Sequence, residues 1–159
     1  MTAPDKKAAD DSVDAIADAL LTASRLLVAL SARSIADVDE TITIPQFRAM
    51  VILSSKGPVN LATLAGLLGV QPSTTGRMVE RLVAAGLIDR RPHPSSRREL
   101  VAELTARGND VVARVISHRR AEIAGVVKEM PPRERQGLVR VLTAFTRAGG
   151  ETGAHLDVD

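Results

Sequence analysis

The sequence predicts a mainly α fold with a small β-hairpin wing, and three observations lead to it. Apolar residues make up 45% of 159 positions, yet aromatic residues make up only 1%. A core of this chain is therefore built from Leu, Val, Ile and Ala, a composition that favours helix. Most of the chain repeats its apolar residues every three or four positions, the spacing of one helix face. Only one stretch, near residues 87–104, changes to strand-like alternation.

The elements follow in order. Ile16, Ala19, Leu20, Ala23, Leu26, Leu27 and Leu30 mark a long amphipathic helix over 12–36, with Ser12 as its N-cap. A second helix starts at Thr43. Thr43-Ile44-Pro45-Gln46 has the form of a capping box, with proline tolerated in the first turn, and Phe47, Met50, Val51 and Leu53 supply its inner face. Gly57-Pro58 ends it. Asn60 caps a short helix over 61–68, and Gly69 allows the chain to turn. Pro72 opens a fourth helix, to about Ala85, with Met78, Val79, Leu82 and Val83 as its apolar stripe and Gly86 as the left-handed residue after it. Leu87 to Arg91 and Arg98 to Leu104 read as two strands around a turn-rich loop, Pro92-His93-Pro94-Ser95-Ser96. Thr105 caps a helix over 106–130, in which Val111, Val112, Val115, Ile116, Ile123, Val126 and Val127 keep the helical period. Pro131-Pro132 breaks it, and a single further helix runs to about Arg147 with Leu138, Val141, Leu142 and Phe145 on one face. Residues 149–159 have no periodicity and are read as a loose tail.

Composition also excludes chemistry. With no cysteine, the chain has no disulfide, no thiolate metal site, no cysteine nucleophile and no thiol redox sensor. It carries no glycine-rich phosphate loop, nucleophile elbow or histidine-rich cluster, and no pair of acids falls on an apolar face, so no enzyme is expected. No cofactor is expected either. The polar, acidic start of the chain is unlike a secretory signal, and no apolar run is read as long enough to span a bilayer, so the expected location is the cytoplasm. The net charge is only +2, but its distribution is uneven. Residues 1–20 hold five acids, whereas residues 71–107 hold seven arginines against four acids. That local excess of positive charge is the footprint of a nucleic-acid binder, although a solvated surface with spare arginines has the same composition.

The unit that carries function is Leu61 to Thr105: a short helix, a tight turn, a second helix and then a hairpin. That order is a winged helix-turn-helix. Leu64, Leu68, Val70 and Met78 are expected to fill the space between the two helices, and Ala65 is small enough for close packing. In such a motif the second helix enters the major groove with its N-terminal residues towards the base edges. Here these are Gln71, Pro72, Ser73, Thr74, Thr75 and Arg77, and Arg81 extends the same basic face. Hydroxyls bond bases or phosphates, glutamine pairs with adenine, and the positive end of the helix dipole faces phosphate. Arg90, Arg97 and Arg98 place further positive charge on the hairpin, and an arginine at its tip suits a narrow minor groove. A competing reading makes Arg81 a surface residue paired to Glu80 or Asp89.

The run Leu61-Ala62-Thr63-Leu64-Ala65-Gly66-Leu67-Leu68-Gly69-Val70, then Pro72 to Leu82, then Gly86-Leu87-Ile88-Asp89-Arg90, resembles the multiple-antibiotic-resistance regulator (MarR) family. Ser96-Arg97-Arg98 followed by Leu104-Thr105 resembles that family's wing signature. The resemblance implies a homodimer held by helices 12–36 and 106–148, with a DNA-binding lobe over 43–105. It also implies a palindromic double-stranded operator, repression, and release by a signal or small-molecule effector. Two departures stand out. Ser96 occupies the place of an aspartate that braces the wing arginine, and can replace only part of that role. Thr75-Gly76 stands where an apolar β-branched residue and a hydroxyl residue are common. For an effector, an aromatic carboxylate would favour arginine, with Arg25, Arg33, Arg48 and His118 as candidate groups; the alternative is that they make structural bonds between helices. His118 and Glu122 stand four apart, as two metal ligands can, but two residues do not make a metal site. A winged-helix module that binds another protein is the alternative to a DNA binder, and only the latter loses affinity steeply with salt.

Overall fold

A computed structural model describes residues 11–151. Helix α1 spans Val13–Ala36, capped by the Ser12 hydroxyl, which accepts from the Ala15 N–H at 3.1 Å. Helix α2 spans Ile44–Lys56, and its capping box closes in both directions: Thr43 Oγ1 accepts from the Gln46 N–H, and Gln46 Oε1 from the Thr43 N–H. A two-residue strand, β1 (Val59–Asn60), precedes α3 (Leu61–Leu68) and α4 (Pro72–Ala84). Gly69, at φ 67°, supplies the left-handed turn between α3 and α4. Strands β2 (Ile88–His93) and β3 (Ser96–Leu104) form the hairpin, and α5 (Ala106–Glu129), α6 (Pro132–Arg135) and α7 (Leu138–Ala148) complete the chain. The fold is mainly helical, as its periodicity predicts.

Four expectations need correction. Strand β1 is too short to show a period; it pairs antiparallel with β3, Val59 opposite Ala102, and makes the sheet three-stranded in the order β1-β3-β2. The turn of the wing is shorter than expected, because β2 continues through Pro92 to His93. β2 is an edge strand, where a residue without an N–H is tolerated. The last helix is not continuous, since Gly137 adopts φ 75° and separates α6 from α7. Finally, α1 is long and apolar enough to cross a membrane by length and composition. The tail expected over 149–159 lies outside the described residues from 152 onward.

The core is one aliphatic cluster beneath the winged lobe. Phe47, Met50 and Leu53 of α2, Leu64 of α3, Val79 and Leu82 of α4, Leu87 and Ile88 before and in β2, Ala102 of β3 and Val111, Val112 and Val115 of α5 are all buried in it. From α1 only its last turns reach the core, through Leu30, Ser34 and Ile35. Most of its other apolar residues stay exposed, as do Val139, Val141, Leu142 and Phe145 of α7.

The first turn of α5 is pressed against the chain that leaves α4. Thr105 caps α5 by accepting from the Gly108 N–H at 3.0 Å, and its own N–H donates to the Leu87 carbonyl at 3.1 Å. A Cβ on Gly108 would lie 2.1 Å from that carbonyl oxygen, which is backbone and cannot swing aside. Gly108→Ala should therefore destabilise the protein by about 1–3 kcal/mol through overpacking, read as a lower midpoint in urea unfolding. An unchanged midpoint would show that the approach has room for a methyl group.

Candidate nucleic-acid interface

Helix α4 is anchored by one face and presents the other. Thr75, Val79 and Leu82 are buried at helical spacing. Gln71, Pro72, Ser73, Thr74, Arg77 and Arg81 are consequently exposed. Thr75 is the exception among the residues expected to face DNA. It is fully buried, and its hydroxyl donates to the Gln71 carbonyl at 3.2 Å, four residues back. A threonine can occupy an apolar position in a helix because it satisfies its own hydroxyl in this way. Val70, expected between the helices, is instead 39% exposed in the turn after α3.

Among the described residues, no carboxylate lies within ion-pair distance of Arg77 or Arg81. The pairing expected for Arg81 belongs to Arg90, whose Nη1 stands 4.0 Å from Glu80. Arg90 is therefore tied across from β2 to α4, and only about a quarter of its side chain is exposed. It acts more as a brace than as a free cation. Arg77 and Arg81 also line a shallow groove of about 280 Å3 with Thr74 and Met78 on one wall and Thr43, Pro45 and Gln46 on the other. The second wall is the N-terminus of α2, the positive end of a helix dipole. The two guanidinium groups are the part of this surface suited to phosphate oxygens, since the groove is lined mainly by apolar atoms and the Thr43 hydroxyl and the Gln46 N–H are engaged in the capping box.

Polar contacts hold the wing at several points, including its tip, where the Ser95 N–H donates to His93 Nδ1 at 3.1 Å. Asn60 uses both ends of its amide: Oδ1 accepts from the Thr63 N–H at 2.7 Å as the cap of α3, and Nδ2 donates to Glu99 of β3. Arg91 on β2 pairs with Glu103 on β3 at 2.5 Å. The ladder is regular from Ile88–Leu104 to Pro92–Leu100, then jumps to His93–Ser96. Three residues of β3 (Arg97, Arg98 and Glu99) thus have no partner in β2. Arg98 is exposed in this bulged segment. The side chain of Arg97 lies outside the described residues.

The groups considered for an effector or a metal are dispersed. Arg25 and Arg48 are exposed. His118 Nδ1 lies 4.0 Å from Asp37, whereas Glu122 pairs with Arg33 at 3.5 Å, so His118 and Glu122 turn to different partners. The cation at the junction of α1, α2 and α5 is Arg119, which the sequence reading passed over. Its guanidinium lies 5.1 Å from the centre of the Phe47 ring, and its Nε donates to the buried Ser34 hydroxyl at 3.3 Å. Burial lowers its pKa. The signal was available, since Arg119 follows the apolar stripe of α5 by four residues from Val115, but nothing local marked Phe47 as its partner.

Residues 42–100 match the model of the MarR family. The chain is 73% identical to Rv1404 of Mycobacterium tuberculosis, whose crystal structure superposes with a TM-score of 0.84 over 91% of this chain and 98% of that one. It is 31% identical to the HTH-type transcriptional repressor Rv2887 of the same organism over 101 residues, 64% of this chain and 73% of the repressor. A mutant MarR of Escherichia coli crystallised with operator DNA shares 20% identity and the fold, with a TM-score of 0.63 over 82% of this chain and 92% of that one. This chain belongs to the MarR family of winged-helix transcriptional regulators.

Proposed function

We propose that the protein binds a palindromic operator as a homodimer and represses transcription there, acting by binding rather than by catalysis, in the cytoplasm where its DNA lies. The observation that carries this reading is the outer face of α4. Ser73, Thr74, Arg77 and Arg81 form one exposed basic and hydroxyl-bearing surface, and no carboxylate within the described residues neutralises its two arginines. Placed in the major groove, the helix would offer Gln71, Ser73 and Thr74 to base edges and Arg77 to a base or a phosphate. Arg81, four residues on along the same exposed face, would take a flanking phosphate. Arg98, on the bulged side of the wing, would reach the adjacent minor groove. Arg90, paired to Glu80, would orient the wing against the helix.

The homodimer is supported by what the protomer leaves uncovered. Val13 is 83% exposed and Val139 81%, and Ile16, Leu21, Leu26, Val28, Leu142 and Phe145 are exposed with them. Apolar surface on this scale on the two outer helices is characteristic of a subunit interface. A second copy would cover it and would also account for a helix of membrane-spanning composition in a DNA-binding protein. Two-fold symmetry then places two recognition helices on one side, with half-sites about one helical turn apart.

The purified protein should sediment as a dimer at micromolar concentration and should footprint a palindrome on genomic DNA; a monomer, or protection without two-fold symmetry, would overturn the assembly. Arg77→Ala and Arg98→Ala should each weaken operator binding and reduce the slope of log affinity against log salt by about one. Thr75→Val should leave that slope unchanged, because the hydroxyl it removes is turned to the Gln71 carbonyl. If both arginine variants keep full affinity, the docking is wrong.

A further inference from the structure

We propose that Arg107 is a positioning residue for the recognition helix α4, tying the C-terminus of that helix to the first turn of α5. Three consecutive carbonyls leave the end of α4, and each accepts a hydrogen bond from the start of α5. Ala85, the C-cap of α4, accepts from Arg107 Nη1 at 2.9 Å. Gly86 accepts from Thr105 Oγ1 at 2.7 Å. Leu87 accepts from the Thr105 N–H at 3.1 Å. The last carbonyls of a helix lack partners within it and carry its negative end, so a guanidinium there is doubly favoured.

Of the three bonds, that of Arg107 alone comes from a long charged side chain, and it alone reaches the C-cap residue of the helix. The other two hold the connecting residues Gly86 and Leu87. Arg107 therefore stands between the end of α4 and the start of α5. Helix α5 belongs to the proposed dimer, so this tie sets the angle at which each recognition helix leaves it. This role rests on the operator-binding reading given above.

The test uses the full-length protein, Arg107→Ala and Arg107→Lys. In the free protein, backbone amide hydrogen exchange should accelerate over residues 82–87 in Arg107→Ala and return towards the wild-type rate in Arg107→Lys, while the buried amides of α2 stay unchanged. On operator duplexes in which the half-site separation is varied by one base pair, Arg107→Ala should lose about tenfold in affinity for the preferred spacing. The difference in affinity among spacings should shrink, and its salt slope should stay unchanged. A slope lowered by about one with spacing preference intact would make Arg107 a phosphate contact and overturn the proposal. Unchanged exchange over residues 82–87 would overturn it equally. The exchange measurement needs no DNA, so a wild-type protein that bound no duplex would remove the operator reading while the tie between α4 and α5 was still judged on its own.

Discussion

Burial of one face of α4 is the constraint on which the rest depends. Val79 and Leu82 enter the same hydrophobic cluster as Phe47, Met50 and Leu64, Thr75 is buried with them, and the three leave almost no side-chain surface to water. A helix turns 100° per residue, so once positions 75, 79 and 82 point inward, positions 73, 74, 77 and 81 must point outward. Each buried aliphatic side chain contributes roughly 1.5–3 kcal/mol. Rotating the helix to expose them would cost more than any single contact to DNA returns. The exposed face of α4 is thus a consequence of the core, and the Thr75 hydroxyl is tolerated inside because the Gln71 carbonyl accepts its hydrogen bond.

The rest of the winged lobe transmits that placement outward. Asn60 serves α3 and β3 with one amide, so the start of the helix-turn-helix is tied to the bulged segment of the wing. Arg90 ties β2 to α4 through Glu80, and Thr105 with Gly108 locks α5 under Leu87. These are polar contacts at partly exposed positions, each modest in energy. Their effect lies in geometry: they hold the bulged, arginine-bearing segment of β3 at a set distance from α4. Glu103 pairs with Arg91 within the regular ladder, and Glu99, in the bulged segment, accepts from Asn60.

The opposite end of the protomer has the reverse character. Within one copy α1 buries only Leu30, Ser34 and Ile35, and α7 buries nothing. Most of their apolar surface faces outward, whereas the winged lobe encloses its own core. The hydrophobic effect closes the lobe on itself, whereas these helices keep apolar surface uncovered within one copy. The junction between the two regions holds the half-buried Arg119 against Phe47 and Ser34, and Arg107 beside the end of α4. Cations at a junction of helices make directional contacts, so they define its angle more sharply than aliphatic packing does.

By itself the sequence determined the order of the elements, because periodicity and caps are local. Ser12, Thr43, Asn60 and Thr105 all cap the helices they precede, and Gly69 and Gly86 take the left-handed turns expected of them. The helix-turn-helix, the wing and most of the outward face of α4 were legible for the same reason. Tertiary structure alone decided which residue of a mixed face turns inward: Thr75 went in and Val70 stayed out, although composition argued the reverse. It also decided the partners of the charged groups. Glu80 chose Arg90 over Arg81, Glu122 chose Arg33 over a place beside His118, and Arg119 found a ring 72 positions away in the chain. β1 exists only because β3 lies beside it, and Gly137 breaks a helix whose apolar period runs on without interruption. The physical reason is common to all of these. Caps and periods are set by neighbours within four residues, whereas burial, strand pairing and ion pairs are set by whatever the folded chain brings alongside.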